Sequence, residues 1–282
     1  MNYNKNKQCY NFKEYNFDKP LLTNVDATYI VHLENNGRLR HIEEQLNHYY
    51  PSKKVFIVFN KGYKNCEKDL SEKNCIYDLI DANLNIIQHS IDNDYSTILI
   101  LEDDFQFSDK ILQQQHHEKL DLFVKEKQHN DYIYYLGAIP VLKSFCFSYH
   151  EKLLLSLGTH AVIISNSMKR KLLDNRESAR DWDLYLNKNR TNRYIYYLPL
   201  CYQIFSETEN SQIWGNSESF FGIPLSLLRD PGKFLLRSLE LDKSPEPGFT
   251  ITYYLSAFIF ILLCLCFIYI CYYLYNFLYK KH

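Results

Sequence analysis

The chain has 282 residues, enough for a substantial core in one large domain or two small ones. Its formal net charge is −1, with 32 Lys and Arg set against 33 Asp and Glu along the whole length. There is no basic stripe or tail, which argues against a nucleic-acid partner.

Residues 1–22 are polar, lack an apolar signal region, and read as a tail. The globular domain is expected over residues 23–245. Tyr29 to Leu33 is a short apolar run and predicts a buried strand. Leu39, Ile42, Leu46 and Tyr49 follow at helical spacing, and Pro51 ends that helix. Val55 to Phe59 predicts a second strand. Ile76, Ile80, Leu84, Ile87 and Ile91 fit one helical face, and Ile98 to Leu101 predicts a third strand. This alternation predicts an α/β fold with a mostly parallel sheet and flanking helices. The strand runs are continuous, as expected of strands covered on both faces. Lys110 to Lys127 and Lys169 to Leu173 read as helices, Tyr132 to Leu136 and Tyr194 to Leu198 as strands. His116-His117 reads as surface.

Toward the carboxyl end, Pro224 to Leu241 sets Leu227, Leu228, Leu235, Leu236 and Leu239 against Arg229, Lys233 and Arg237. Such a segment either rests on a membrane surface or packs as a last helix. Residues 246–250 read as a linker and 251–279 as a transmembrane helix. No charged residue occurs from Phe249 to Tyr279, longer than the about 20 apolar residues a span needs. Tyr253 and Tyr254 mark one interface, Tyr275 and Tyr279 the other, and Lys280 and Lys281 stop the segment. A helix so close to the end of the chain reads as a tail anchor, with the main domain in the cytosol.

Of eight cysteines, Cys264, Cys266 and Cys271 lie in the apolar segment. No Cys-x-x-Cys occurs, which argues against a structural zinc site. Among Cys9, Cys66, Cys75, Cys146 and Cys201, free thiols in a reducing compartment are the favoured reading, with a Cys66–Cys75 bridge left open.

Ligands bind beyond the carboxyl ends of strands in sheets of this kind. The third strand runs directly into Glu102-Asp103-Asp104. Acids crowded there repel one another, and a divalent cation relieves that repulsion. Hard oxygen ligands suit Mg²⁺ or Mn²⁺. Such an ion bridges a nucleotide diphosphate and stabilises the charge that develops as a sugar leaves.

Taken in order, several segments resemble glycosyltransferase family 25, the lipooligosaccharide and collagen galactosyltransferases. They are Tyr29-Ile-Val-His-Leu33 with Arg38, Arg40, Gln45 and Leu46; Ile100-Leu-Glu-Asp-Asp104; Leu136-Gly137; Gly158-Thr159-His160-Ala161-Val-Ile-Ile-Ser165; Asp181-Trp182; and Pro199, Gln203 and Ser211. Val162 and Gln212 depart from the family pattern.

The resemblance implies a GT-A-like, Rossmann-type fold. It implies inverting transfer of a hexose, galactose or glucose, from a uridine diphosphate sugar to the hydroxyl of an unidentified glycan, lipid-linked or protein acceptor. It implies Asp104 as metal ligand, Asp103 or Glu102 holding the ribose or a metal-bound water, and Arg38 or Arg40 on the nucleotide. Asp181 and Asp183 are the candidate bases, although Asp181 also reads as a helix cap. Gly158, Thr159, His160 and Gln203 fall on the acceptor side. Members acting on collagen-like acceptors work in the secretory lumen, against the tail-anchor reading. A different class of function is a catalytically silent domain of this fold, serving as a membrane-tethered binding module.

Overall fold

A computed structural model describes residues 6–189, 192–204, 219–220, 223–224, 234, 237–241 and 243–279. A seven-stranded sheet forms the centre. Its first four strands in the chain are β1 (Tyr10–Asn16), β2 (Ala27–Leu33), β3 (Lys54–Asn60) and β4 (Ile98–Glu102). β5 (Phe105–Phe107) lies outside it. β6 (Ile133–Lys143), β7 (His150–Ile164) and β8 (Arg193–Tyr196) complete it, in the spatial order β1-β3-β2-β4-β7-β6-β8. β2 runs parallel to β3 and β4, and β6 parallel to β8. β1 and β7 are antiparallel to their neighbours. β5 pairs with β9 (Cys201–Gln203) to cap one edge.

Helices α1 (Leu39–His48), α2 (Cys75–Asp92), α3 (Gln114–Glu126), α4 (Asn166–Asp174) and α5 (Trp182–Asn187) flank the sheet. On one face, Tyr29, Val58, Ile100 and Val162 pack against Ile80 and Ile87 of α2, Leu172 of α4 and Tyr185 of α5. On the other, Ile30, Ile57, Leu99 and Ile163 pack against Ile42 and Leu46 of α1 and Leu120 and Phe123 of α3. Alternate residues of each central strand thus enter opposite cores, which is why those strands read as unbroken apolar runs. The expected α/β architecture is the one observed.

Four expectations are corrected. The amino-terminal segment is not a bare tail, because β1 forms the antiparallel edge of the sheet and its burial alternates along a half-exposed strand. Cys9 pairs with Cys66, with Cα atoms 5.8 Å apart, so a Cys66–Cys75 bridge is not formed. His116 is buried and bonded to the Tyr196 hydroxyl at 2.8 Å, so it is not a surface residue. The expected linker at 246–250 is in part helical, since α6 (Gly248–Tyr279) begins inside it. Leu227, Leu228, Arg229, Lys233, Leu235, Leu236, Ser211 and Gln212 lie outside the described residues.

α6 is long and apolar enough to cross a membrane, with a mean hydropathy of 2.6 over its best window. Its first turns are nonetheless docked on the domain. Gly248, Phe249, Thr252, Tyr253, Ser256 and Ala257 are buried, and from Phe258 onward the helix is largely exposed.

Candidate functional site

β2 and β4 are parallel neighbours, so Leu33 and Glu102 leave the same edge of the sheet. After β2 the chain turns through Asn35 (φ 64°) and Gly37 (φ 80°). That turn carries Asn36 and Arg38 back over the strand end, facing the acids that follow β4.

Asp103 is the best-held of these acids. Its Oδ2 accepts from the Leu33 amide at 3.2 Å and Asn36 Nδ2 at 2.5 Å, and faces His32 Nδ1 at 3.3 Å. Its Oδ1 accepts from Arg38 Nη1 at 2.5 Å. Burial alone would push the Asp103 carboxyl up, but the bonds from His32, Arg38 and Asn36 outweigh it and hold the pKa low. Both oxygens accept bonds within the protein, and through them Asp103 positions the β2–α1 turn.

Asp104 is different. Its Oδ2 lies 3.3 Å from Arg38 Nη1 and accepts from Gln203 Nε2 at 3.3 Å. Its Oδ1 is buried with no hydrogen-bond partner among the described residues. Burial pushes the carboxyl up to about 6, against the pull of Arg38. An orphaned buried carboxylate oxygen is costly unless something outside the protein satisfies it.

Glu102 and Asp183 complete the cluster. The Glu102 carboxyl is pushed well up by desolvation and by the charges of Asp104, Asp183 and Asp103. Its Oε1 accepts from Thr159 Oγ1 at 3.3 Å. Asp183 Oδ2 accepts from the Gly158 amide at 2.8 Å, and desolvation raises its pKa as well. Gly158 has φ +74°, a conformation that favours glycine and turns its amide toward Asp183.

β9 closes this side. A Cβ on Gly137 would lie 1.8 Å from the Cys201 carbonyl oxygen, so only glycine lets β9 approach β6 this closely. His160 Nε2 donates to that carbonyl at 3.2 Å, leaving buried Nδ1 as an acceptor unpaired among the described residues, and burial lowers the ring pKa to about 4.

Of the residues named from the sequence, the structure brings together Arg38, Glu102, Asp103, Asp104, Gly158, Thr159, Asp183 and Gln203, with His160 behind them. It does not bring in Arg40, which is exposed and pairs with Glu44 one helical turn on at 2.8 Å. Asp181 takes its capping role, its Oδ1 accepting from the Leu184 amide at 2.9 Å. His32 and Asn36 were missed. The signals were a histidine at the end of a buried strand and an Asn-Asn-Gly turn behind it.

No protein-family model and no curated protein matches the chain. Solved structures share its fold loosely. One is A197 from STIV, at a TM-score of 0.41 and 12% identity, covering 65% of this chain and 87% of that one. Another is a glycosyltransferase involved in glycosylation of the major capsid of PBCV-1, at a TM-score of 0.36 and 10% identity, covering 62% and 83%. At scores this low, the fold and the site stand on the chain's own geometry.

Among the described residues, no three or more His, Cys, Asp and Glu stand as a ready metal cage. The carboxylate oxygen left without a partner among the described residues is Asp104 Oδ1, which could serve as a single ligand. An ion held by one protein carboxylate would need its other ligands from outside the protein.

Proposed function

We propose that the chain is a membrane-anchored glycosyltransferase, transferring a hexose from a uridine diphosphate sugar to an acceptor hydroxyl with inversion. The carrying observation is the buried Oδ1 of Asp104, unpartnered among the described residues and set among Glu102, Asp183 and Arg38 at the sheet's carboxyl edge. The resemblance to glycosyltransferase family 25 rests on the motifs quoted above, and most of those motifs fall at this edge.

In this reading Asp104 holds Mn²⁺ or Mg²⁺. When bound, the ion neutralises the diphosphate and stabilises it as the leaving group. Arg38, fixed by Asp103, adds a second positive charge beside that group. Glu102 holds the ribose or a metal-bound water. Asp183 removes the proton from the acceptor hydroxyl, and its raised pKa makes it a stronger base than an exposed carboxylate. Gly158, Thr159 and Gln203 line the acceptor side. The Cys9–Cys66 bridge supports placing the domain in an oxidising compartment, against the cytosolic face favoured by the sequence.

A silent binding module is favoured by one observation: Arg38 lies 3.3 Å from Asp104 and neutralises it without a metal. Turnover separates the two readings. The full chain in detergent micelles, supplied with a panel of uridine diphosphate sugars, should release uridine diphosphate from one of them only with Mn²⁺ or Mg²⁺. The full chain is needed because Phe249 and Tyr253 are buried in the domain and a cut at residue 245 would remove them. Absence of release from every donor, with uridine diphosphate still bound, favours the module.

A further inference from the structure

We propose that the β6–β7 hairpin tip is a second membrane contact, entering the lipid interface beside α6 and fixing how the domain sits on the bilayer. This rests on the reading of α6 as a membrane span and is independent of the sugar chemistry.

The hairpin and the helix meet at a defined level. The Lys143 amide, at the end of β6, donates to Ser256 Oγ at 2.9 Å. The Lys143 ammonium is paired with buried Glu151 and lies 5.8 Å from the centre of the Tyr253 ring. Ser256 and Ala257 are the last helix residues buried by the domain. The bilayer boundary therefore falls close to the base of this hairpin.

Beyond Lys143 the tip reads Ser144-Phe-Cys-Phe-Ser-Tyr149, with no charge between Lys143 and Glu151. Phe147 is fully exposed, Phe145 and Tyr149 are 46% and 40% exposed, and the two phenylalanine rings sit 5.5 Å apart. A pair of phenylalanines held out in water on a tight tip is unfavourable in a soluble protein. Phe147, four residues beyond Lys143, lies within roughly 13 Å of the Lys143–Ser256 contact, given about 3.3 Å per extended residue. That matches the depth at which aromatic side chains settle in a headgroup region. Exposed Tyr197 and Tyr254 continue the same aromatic rim, and Tyr197 is bonded through its amide to the Tyr149 carbonyl at 3.0 Å. Because the rim adjoins the first exposed turns of α6, lipid rather than a protein partner is the occupant.

The test uses the full chain in phosphatidylcholine vesicles whose acyl chains carry bromine, a contact quencher of tryptophan. Phe147→Trp and Phe145→Trp report the tip, and Phe267→Trp reports the helix, each read as the difference from the parent protein. The expected result is blue-shifted emission from the tip variants, roughly halved by brominated lipid and shielded from aqueous iodide. Quenching of Phe267→Trp with iodide-accessible, unquenched tip variants would overturn the inference while leaving the span intact. Quenching of neither would remove the span and the inference together. Uridine diphosphate release, measured on the same samples, reads the glycosyltransferase proposal separately.

Discussion

Arg38 Nη1 stands 2.5 Å from Asp103 Oδ1, and the same nitrogen lies 3.3 Å from Asp104 Oδ2. One guanidinium thereby joins the turn after β2 to both acids after β4. Losing it should disorder the turn and expose two adjacent carboxylates to each other. Arg38→Ala removes that charge, and kcat/KM should fall by about 10²-fold or more, the scale of a lost charge-stabilising donor. Arg40→Ala should change it less than about twofold, because its pair with Glu44 is exposed. Equal losses in the two variants would contradict this division of roles.

The two carboxylates near α5 should separate in the same way. Asp181→Ala removes an N-cap and should lower stability by about 1 kcal/mol, measured by denaturant unfolding. Asp183→Asn keeps an acceptor for the Gly158 amide but cannot take a proton. Turnover should fall about 10²- to 10⁴-fold with donor binding preserved. If Asp181→Ala abolishes turnover and Asp183→Asn spares it, the base has been misassigned.

The Cys9–Cys66 bridge closes a loop across 57 residues of sequence. By loop-closure entropy, removing it should cost ~4 kcal/mol. The loop it anchors also holds Lys68, whose buried ammonium bonds Asp78, the Tyr10 hydroxyl and Asn60. Cys66→Ser, or reductant, should lower the thermal midpoint by many degrees. Thiol counting on the denatured, unreduced chain should find two fewer free cysteines than the eight present. Eight reactive thiols in protein isolated from cells would contradict the bridge and restore the reducing compartment.

His150 predicts a pH dependence of stability. Burial lowers its pKa from the ordinary 6.5 to about 4, while its ring contacts the Tyr134 hydroxyl at 2.7 Å. The folded state therefore binds fewer protons than the unfolded state between those values. The contribution is fully present above pH 6.5 and is lost as pH falls toward 4. His150→Gln should flatten the fall in thermal midpoint over that window relative to the parent. An identical pH profile in the two proteins would exclude the assignment.

β2, β3, β4, α1 and α2 were legible in the sequence because both faces of each strand are buried and each helix has one apolar stripe. β1 was not, since its half-exposed pattern carries no run and its pairing with β3 is a long-range choice. Helical spacing alone could not separate Arg38 from Arg40, which share one helix start; the separation comes from the Asn35–Gly37 turn. The same holds for Asp181 and Asp183. Only the register of α5 against Gly158 turns one into a cap and the other toward the acids. The Cys9–Cys66 pairing depends on β1 lying beside β3, and no spacing rule contains that.

The central claim is that Asp104 holds a cation that in turn holds a nucleotide diphosphate. The most direct measurement is calorimetric titration of uridine diphosphate into the full chain, with and without Mn²⁺, alongside Asp104→Asn. The account predicts binding that requires Mn²⁺ in the parent and is weakened at least about tenfold in the variant, a difference of about 1.4 kcal/mol. Binding of equal strength with and without the metal, unchanged in Asp104→Asn, would contradict it.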